Sequence, residues 1–184
     1  MAADNPLAMV VAIWLWAACS ARLAAQWFGL LCLGGLILVG QKMLYYVGGV
    51  SLTSISLYTM SGHAVAATYI YGSLVAILVR GWPRGVRWGA FLATAALVLA
   101  IGVSRVAVAH HRPSEAISGL ILGAILLGCF LRFVWRRATP RLSVLWLAAP
   151  SLIVIFVTYG RVYEFENIFR WLGRRANPGV RFYR

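Results

Sequence analysis

Arg105, His110, His111, Arg112 and Glu115 fall within eleven positions of one another, inside the stretch Ser104–Gly119 (SRVAVAHHRPSEAISG). Long apolar runs flank this stretch on both sides, and ionisable groups near lipid are costly unless they are paired or wet. Such a cluster therefore marks a site. Arginine offers a fixed charge and a fork of N–H donors suited to phosphate oxygens. His111 and Glu115 are four positions apart, so a helix start between them brings carboxylate and imidazole together, fixing the tautomer and stabilising an imidazolium.

Two further segments carry compatible chemistry. Ser61-Gly62-His63 precedes an apolar run, and a helix starting there would present backbone N–H donors and the positive end of its dipole to an anion. Lys42, the lone lysine of the chain, ends another apolar run. Histidines from separate segments, His63 and His111, can divide the roles of nucleophile and general acid. The combination suits phosphoryl chemistry.

The elements that must position these residues are membrane helices. Hydrophobic residues make up 62% of the 184 and charged residues 11%, which excludes an ordinary soluble domain. Runs approaching twenty apolar residues match a bilayer core of about 30 Å. Residues 7–19 and 27–40 are apolar, with Ser20, Arg22 and Gln26 between them, and read as two helices in a hairpin rather than one bent helix. The second run ends at Gln41-Lys42. Residues 43–60, with Gly48-Gly49 and many hydroxyls, read as a loop or interfacial segment. Spans follow at 64–79, 86–103, from Pro113 through Phe130, and 142–159. At Pro113 a helix starts, with Ser114 as N-cap and Glu115 in its first turn. Beyond the last span, Phe165, Ile168, Phe169 and Leu172 share one helical face opposite Glu166, Arg170 and Arg174, the pattern of an amphipathic helix in the interface. The fold class is thus all-α: a polytopic bundle of about five to six transmembrane helices forming one domain over residues 1–184, with 161–184 a basic, partly amphipathic tail.

The formal net charge of +13 does not point to nucleic acid. Basic residues flanking apolar spans mark cytoplasmic loops and contact with anionic lipid headgroups. Arg22, Arg80, Arg84, Arg87, Arg132, Arg136, Arg137 and Arg141 fall on one side of the spans, and Lys42, Arg105 and Arg112 on the other. The positive-inside rule places the first group in the cytoplasm, so Lys42, Ser61–His63 and 104–115 face outward together. The basic tail then emerges outside, against the rule, so either the last span is re-entrant or the tail meets lipid phosphates. Cys19, Cys32 and Cys129 each lie in an apolar run and suggest neither a disulfide framework nor a zinc site. The absence of an early basic residue before the first run argues for a first membrane span rather than a cleaved signal peptide.

In order and spacing, the three segments resemble the type-2 phosphatidic acid phosphatase superfamily of integral-membrane lipid phosphatases. The family pattern is a Lys followed seven residues later by Arg-Pro, then Pro-Ser-Gly-His, then Ser-Arg, five residues, His, three residues and Asp. Here the third part has Ser104, Arg105 and His111, with Glu115 in the Asp position, and Gly119 follows within the helix. The second has Ser61, Gly62 and His63 with Met60 in place of Pro, and the first matches only at Lys42, with Gly49-Val50 where Arg-Pro would stand. The resemblance covers residues 40–130. It implies that His111 is a nucleophile forming a phosphohistidine, that Glu115 orients it, and that His63 protonates the leaving group. Lys42, Ser61, Gly62, Ser104 and Arg105 would cradle the phosphoryl oxygens, with Arg112 compensating for the missing Arg. It implies no metal and no cofactor.

Single matches carry little weight: an isolated Ser-Gly-His is common, and a histidine at a helix end is usually structural. Their joint, ordered occurrence favours an active site. His110 does not match the offset and reads as a cap or headgroup contact. The tryptophans and tyrosines read as interfacial anchors, with Tyr45 and Tyr46 placed to line a lipid entry groove. The expected function is a membrane lipid phosphatase at the outer face of a bacterial-type inner membrane. Its candidate substrates are a polyprenyl pyrophosphate, a lipid A phosphate or a glycerophospholipid phosphate. The alternatives are a lipid-phosphate phosphotransferase, a non-catalytic phospholipid-binding relative acting in transport or regulation, and a structural membrane subunit whose basic face serves a partner.

Overall fold

The computed structural model describes residues 4–49, 58–108, 111–134 and 165–176. The expected span at 142–159, His110, Arg136, Arg137, Arg141 and the end of the tail lie outside them. Among the described residues every regular element is a helix: α1 (Asp4–Ala18), α2 (Ala21–Tyr46), α3 (Gly62–Leu78), α4 (Arg84–Ala107), α5 (Pro113–Val134) and α6 (Phe165–Ala176). Three are long and apolar enough to cross a membrane, over Ala21–Tyr46, Arg84–Ala107 and Pro113–Arg132, and Leu7–Ala18 and Gly62–Leu78 are shorter apolar helices. This is the all-α architecture expected, compatible with a helical membrane bundle.

The break between α1 and α2 falls where the polar interruption begins. Ser20 is extended, with φ −170°, and its hydroxyl accepts the Leu23 N–H at 3.2 Å, an N-cap that starts α2 afresh. Leu7, Val11 and Leu15 of α1 are buried in one cluster with Trp27, Tyr69 and Phe130, so the first helix folds back onto the bundle. At its other end α2 runs past Gln41-Lys42 through Tyr46, so residues 43–46 are helical rather than loop. The helix stops at the glycine pair, where Gly49 takes φ 67° and donates its N–H to the Tyr45 carbonyl at 3.1 Å.

α3 is the central element, packed against α5 through small residues. A Cβ on Gly119 would lie 2.6 Å from the Ser61 carbonyl oxygen, and one on Gly123 2.6 Å from Thr68 Cβ. The spacing is that of the G-x-x-x-G contact by which membrane helices approach closely where apolar burial gives little discrimination. Deeper in the bundle, Trp27 Nε1 donates to Ser73 Oγ at 2.8 Å, and Tyr69 Oη donates to the Trp27 carbonyl at 2.8 Å. The Trp27 and Tyr69 rings stack at 5.5 Å. α4 turns Val86, Trp88, Leu92, Leu97, Leu99 and Val103 outward, a surface suited to lipid rather than water.

Alternation of helix directions separates the basic residues into two groups. Arg22, Arg80, Arg84, Arg87 and Arg132 stand at the start of α2, after α3, at the start of α4 and at the end of α5. Lys42, Arg105 and Arg112 stand at the other ends of those helices. The 17 residues of α3 separate the two levels by about 25 Å. α6 belongs to the second level: its Phe169 ring stacks on Tyr46 at 6.5 Å.

Candidate active site

Four chain segments meet at the level of Lys42, and hydrogen bonds tie each to the next. Pro113 opens α5, which makes Arg112 rather than Ser114 the flanking N-cap residue. The lack of an N–H on Pro113 costs nothing at a first helical position. The Arg112 carbonyl accepts the N–H groups of Glu115 at 3.0 Å and Ala116 at 3.1 Å. Glu115 thus occupies the third helical position, and its Oε2 reaches back to the Arg112 N–H at 3.2 Å, half of a capping box.

That capping carboxylate also holds the imidazole. His111 Nδ1 lies 2.9 Å from Glu115 Oε2, with the two side chains only 6% and 8% exposed. Glu115 Oε1 accepts the Thr59 N–H at 3.0 Å. Two backbone N–H groups and the imidazole Nδ1 converge on two oxygens, the environment of an ionised carboxylate, which can only accept. Nδ1 of a neutral His111 must therefore donate, and its lone pair sits on Nε2. The backbone of His111 is also fixed, because its N–H donates to the Arg105 carbonyl at 3.2 Å, tying the end of α4 to the start of α5.

Ser61 is the N-cap of α3 and is wholly buried. Its N–H donates to the Glu115 carbonyl at 3.0 Å, directly beneath the contact with Gly119. Ser61, Gly119 and Glu115 are therefore one packed unit. Gln41 clamps the same segment from α2: its Nε2 donates to the Tyr58 carbonyl at 2.6 Å, and its Oε1 accepts the Met60 N–H at 3.0 Å.

Four buried side-chain atoms lack a hydrogen-bonding partner among the described residues: Ser61 Oγ, Arg105 Nε, Trp14 Nε1 and Gln26 Oε1. The first two belong to the segments bonded to Glu115 and His111. An unpaired buried polar atom costs roughly 1–3 kcal/mol, and two of these fall in adjoining segments. Trp14 and Gln26 lie on α1 and α2, outside this hydrogen-bonded set.

The structure thus joins Ser61, Arg105, His111, Arg112 and Glu115 through direct bonds, with Gly62 and His63 opening α3 beside them. His63 is half-buried in the first turn, at the N–H end of the helix, which faces the same level. Lys42 follows the clamping Gln41 and is 4% exposed, its Nζ 5.8 Å from the centre of the Phe169 ring. Ser104 is different: its side chain is exposed and its hydroxyl donates to the Ile101 carbonyl of its own helix at 2.7 Å. Residues not assigned to the site by pattern are Gln41, Tyr58, Thr59 and Phe169. A lone amide at the end of an apolar run was a signal for Gln41, whereas Thr59 acts through its backbone and left none. No group of three or more His, Cys, Asp or Glu that could hold a metal occurs among the described residues.

The family model for the PAP2 superfamily matches residues 49–139, which contain the second and third motif segments. A relative from Klebsiella pneumoniae, called an uncharacterized 22.5 kDa protein in cps region, is 27% identical over 139 residues. That alignment covers 74% of this chain and 66% of the relative, just under two thirds of its length. No solved structure matches the chain.

Proposed function

This chain belongs to the PAP2 superfamily, and from that premise we propose that it is a membrane lipid phosphatase working through a phosphohistidine on His111. Membership supports a phosphatase-type function, and the apolar helices support membrane insertion. The observation that carries the finer reading is the pair of atoms without a partner among the described residues, Ser61 Oγ and Arg105 Nε, on residues whose backbones bond Glu115 and His111, where Glu115 holds the imidazole Nδ1.

In this reading a phosphoryl group sits against Ser61, Gly62 and the N–H groups at the start of α3. Arg105, Arg112 and Lys42 balance its charge. The Nε2 lone pair of His111 attacks phosphorus while the bond to the lipid oxygen breaks, and His63 donates a proton to that oxygen. Glu115 stabilises the cation that develops on the imidazole. Water then attacks the phosphohistidine, His63 takes its proton, and inorganic phosphate leaves. Ser104, bonded to its own helix, contributes least to the cradle.

The substrate is read as a polyprenyl pyrophosphate, a lipid A phosphate or a glycerophospholipid phosphate. The site faces outward from a bacterial-type inner membrane, a placement supported by the basic residues at the opposite end of the bundle. The whole chain is read as one membrane-embedded domain with a basic tail over 161–184 that meets anionic headgroups. The test is phosphate release from a panel of these lipids in detergent, comparing wild type, His111→Ala and His63→Ala. Release by wild type, lost in both variants, is expected. Equal inactivity of all three on every lipid would leave a phospholipid-binding relative as the better reading.

A further inference from the structure

Gln41 carries a donor and an acceptor on one planar amide, and both serve the same short stretch of chain. Its Nε2 donates to the Tyr58 carbonyl at 2.6 Å, and its Oε1 accepts the Met60 N–H at 3.0 Å. The alternate residues bond Glu115 instead. The Thr59 N–H donates to Glu115 Oε1 at 3.0 Å, and the Ser61 N–H donates to the Glu115 carbonyl at 3.0 Å. Residues 58–61 are therefore held on two edges, by one side chain near the end of α2 and by one residue in the first turn of α5.

The fit is specific to an amide. A carbonyl and an N–H two residues apart call for a donor and an acceptor side by side, whereas a carboxylate only accepts and an ammonium only donates. The consequence reaches His111 in two further bonds. The last torsion of a glutamate side chain is broad, so the plane of its carboxylate is set by what its oxygens bond. Oε1 of Glu115 is taken by the Thr59 N–H, while Oε2 accepts the Arg112 N–H and lies 2.9 Å from His111 Nδ1. Thr59 and Glu115 are both buried. Seating Thr59 thus helps to fix the oxygen that holds the imidazole.

We propose that Gln41 is a positioning residue for His111. By clamping residues 58 and 60 it seats the Thr59 N–H on Glu115 Oε1, and so orients the carboxylate that holds Nδ1. The proposal rests on the reading of His111 as the nucleophile, and it deepens that reading by naming a device outside the matched motif residues. Through it, the end of α2 reaches the imidazole without touching it.

The test uses the full chain in detergent, assayed for phosphate release from phosphatidic acid micelles and, with isotope-labelled histidine, followed by nitrogen NMR. The His111 signals are identified by their loss in His111→Ala. In wild type the neutral ring should carry its proton on Nδ1. Gln41→Glu keeps the length and the acceptor for Met60 but sets an oxygen against the Tyr58 carbonyl. Gln41→Met removes both bonds and decides the matter if Gln41→Glu does not fold. Each should lower kcat by about tenfold to a hundredfold, as expected for a displaced reacting group. KM should stay within about threefold, and His111 should move toward a mixture of its two tautomers. Added to Glu115→Ala, Gln41→Met should lower kcat by less than about threefold more, since the route through the carboxylate is already gone. A full multiplicative loss there, or a fall in kcat with the tautomer unchanged, would make Gln41 a structural clamp only and overturn the proposal. If wild type releases no phosphate but its tautomer depends on Gln41, the catalytic reading fails and the hold of Gln41 on His111 stands. An active enzyme whose kcat and tautomer ignore Gln41 overturns this proposal and leaves the catalytic reading in place. An inactive chain whose tautomer ignores Gln41 overturns both.

Discussion

Two buried polar clusters, both centred on α3, are built to opposite ends. Around Trp27, Tyr69 and Ser73 each donor finds a partner: the indole bonds the serine, the phenol bonds a backbone carbonyl, and the serine donates to Ile70. Around Ser61 and His111 the backbone is bonded to Glu115 and Arg105, yet Ser61 Oγ and Arg105 Nε find no partner among the described residues. The first cluster is complete by itself and locks α2 to α3. That difference is the one expected between a structural cluster and a binding one.

The sharpest way to break the comparison is to remove the group that gives the second cluster its chemistry. His111→Ala should lower phosphate release by a thousandfold or more, on the order expected for loss of a nucleophile. The melting temperature should stay near that of wild type; retained activity would sink the assignment. Glu115→Gln keeps the shape but replaces an acceptor of three N–H groups. It should cut kcat by roughly a hundredfold or more, with KM little changed, as expected when the wrong tautomer is favoured. A variant in which KM alone moves would instead make Glu115 a structural cap.

Smaller effects sharpen the contrast. Gly119→Ala sets a methyl against the Ser61 carbonyl, backbone that cannot easily yield. It should cost about 1–3 kcal/mol in stability and reduce activity with it, because Ser61 and Glu115 are pushed apart. Ser73→Ala leaves the Trp27 indole buried without a partner and should also cost about 1–3 kcal/mol, read as a lower melting temperature with kcat/KM of the folded enzyme intact. Ser61→Ala should do the opposite. Its hydroxyl makes no cap bond and no other bond among the described residues, so stability should hold or rise by up to about 1–3 kcal/mol while phosphate binding weakens. Equal losses of stability in the two serine variants would erase the distinction between the clusters.

The helices were legible because apolar length is a local property: a run of about twenty residues without charges has few other fates. His111 and Glu115 were legible for the same reason, since four positions at a helix start already determine their approach. Ser20 and the polar residues after it likewise announced the break between α1 and α2. The extension of α2 through Tyr46 was not evident, because residues 43–46 are equally at home in an interfacial loop until Gly48-Gly49 ends the helix. Ser114 also looked like the cap, but proline at the first helical position shifted that role to Arg112 and made Glu115 the reciprocal partner.

The amino-acid order alone determined the membrane class, the two groups of basic residues at opposite helix ends, and the residue types that suit a phosphate. Only the tertiary structure decided which of those residues share a network. Contacts such as Thr59 to Glu115, Gln41 to Tyr58 and Phe169 to Lys42 join positions far apart in the chain, through backbone groups or ring faces that no residue pattern encodes. The close approach of α3 and α5 at Gly119 is what brings them within reach. It places Ser61 under Glu115, and a hydrogen bond holds only over about 3 Å.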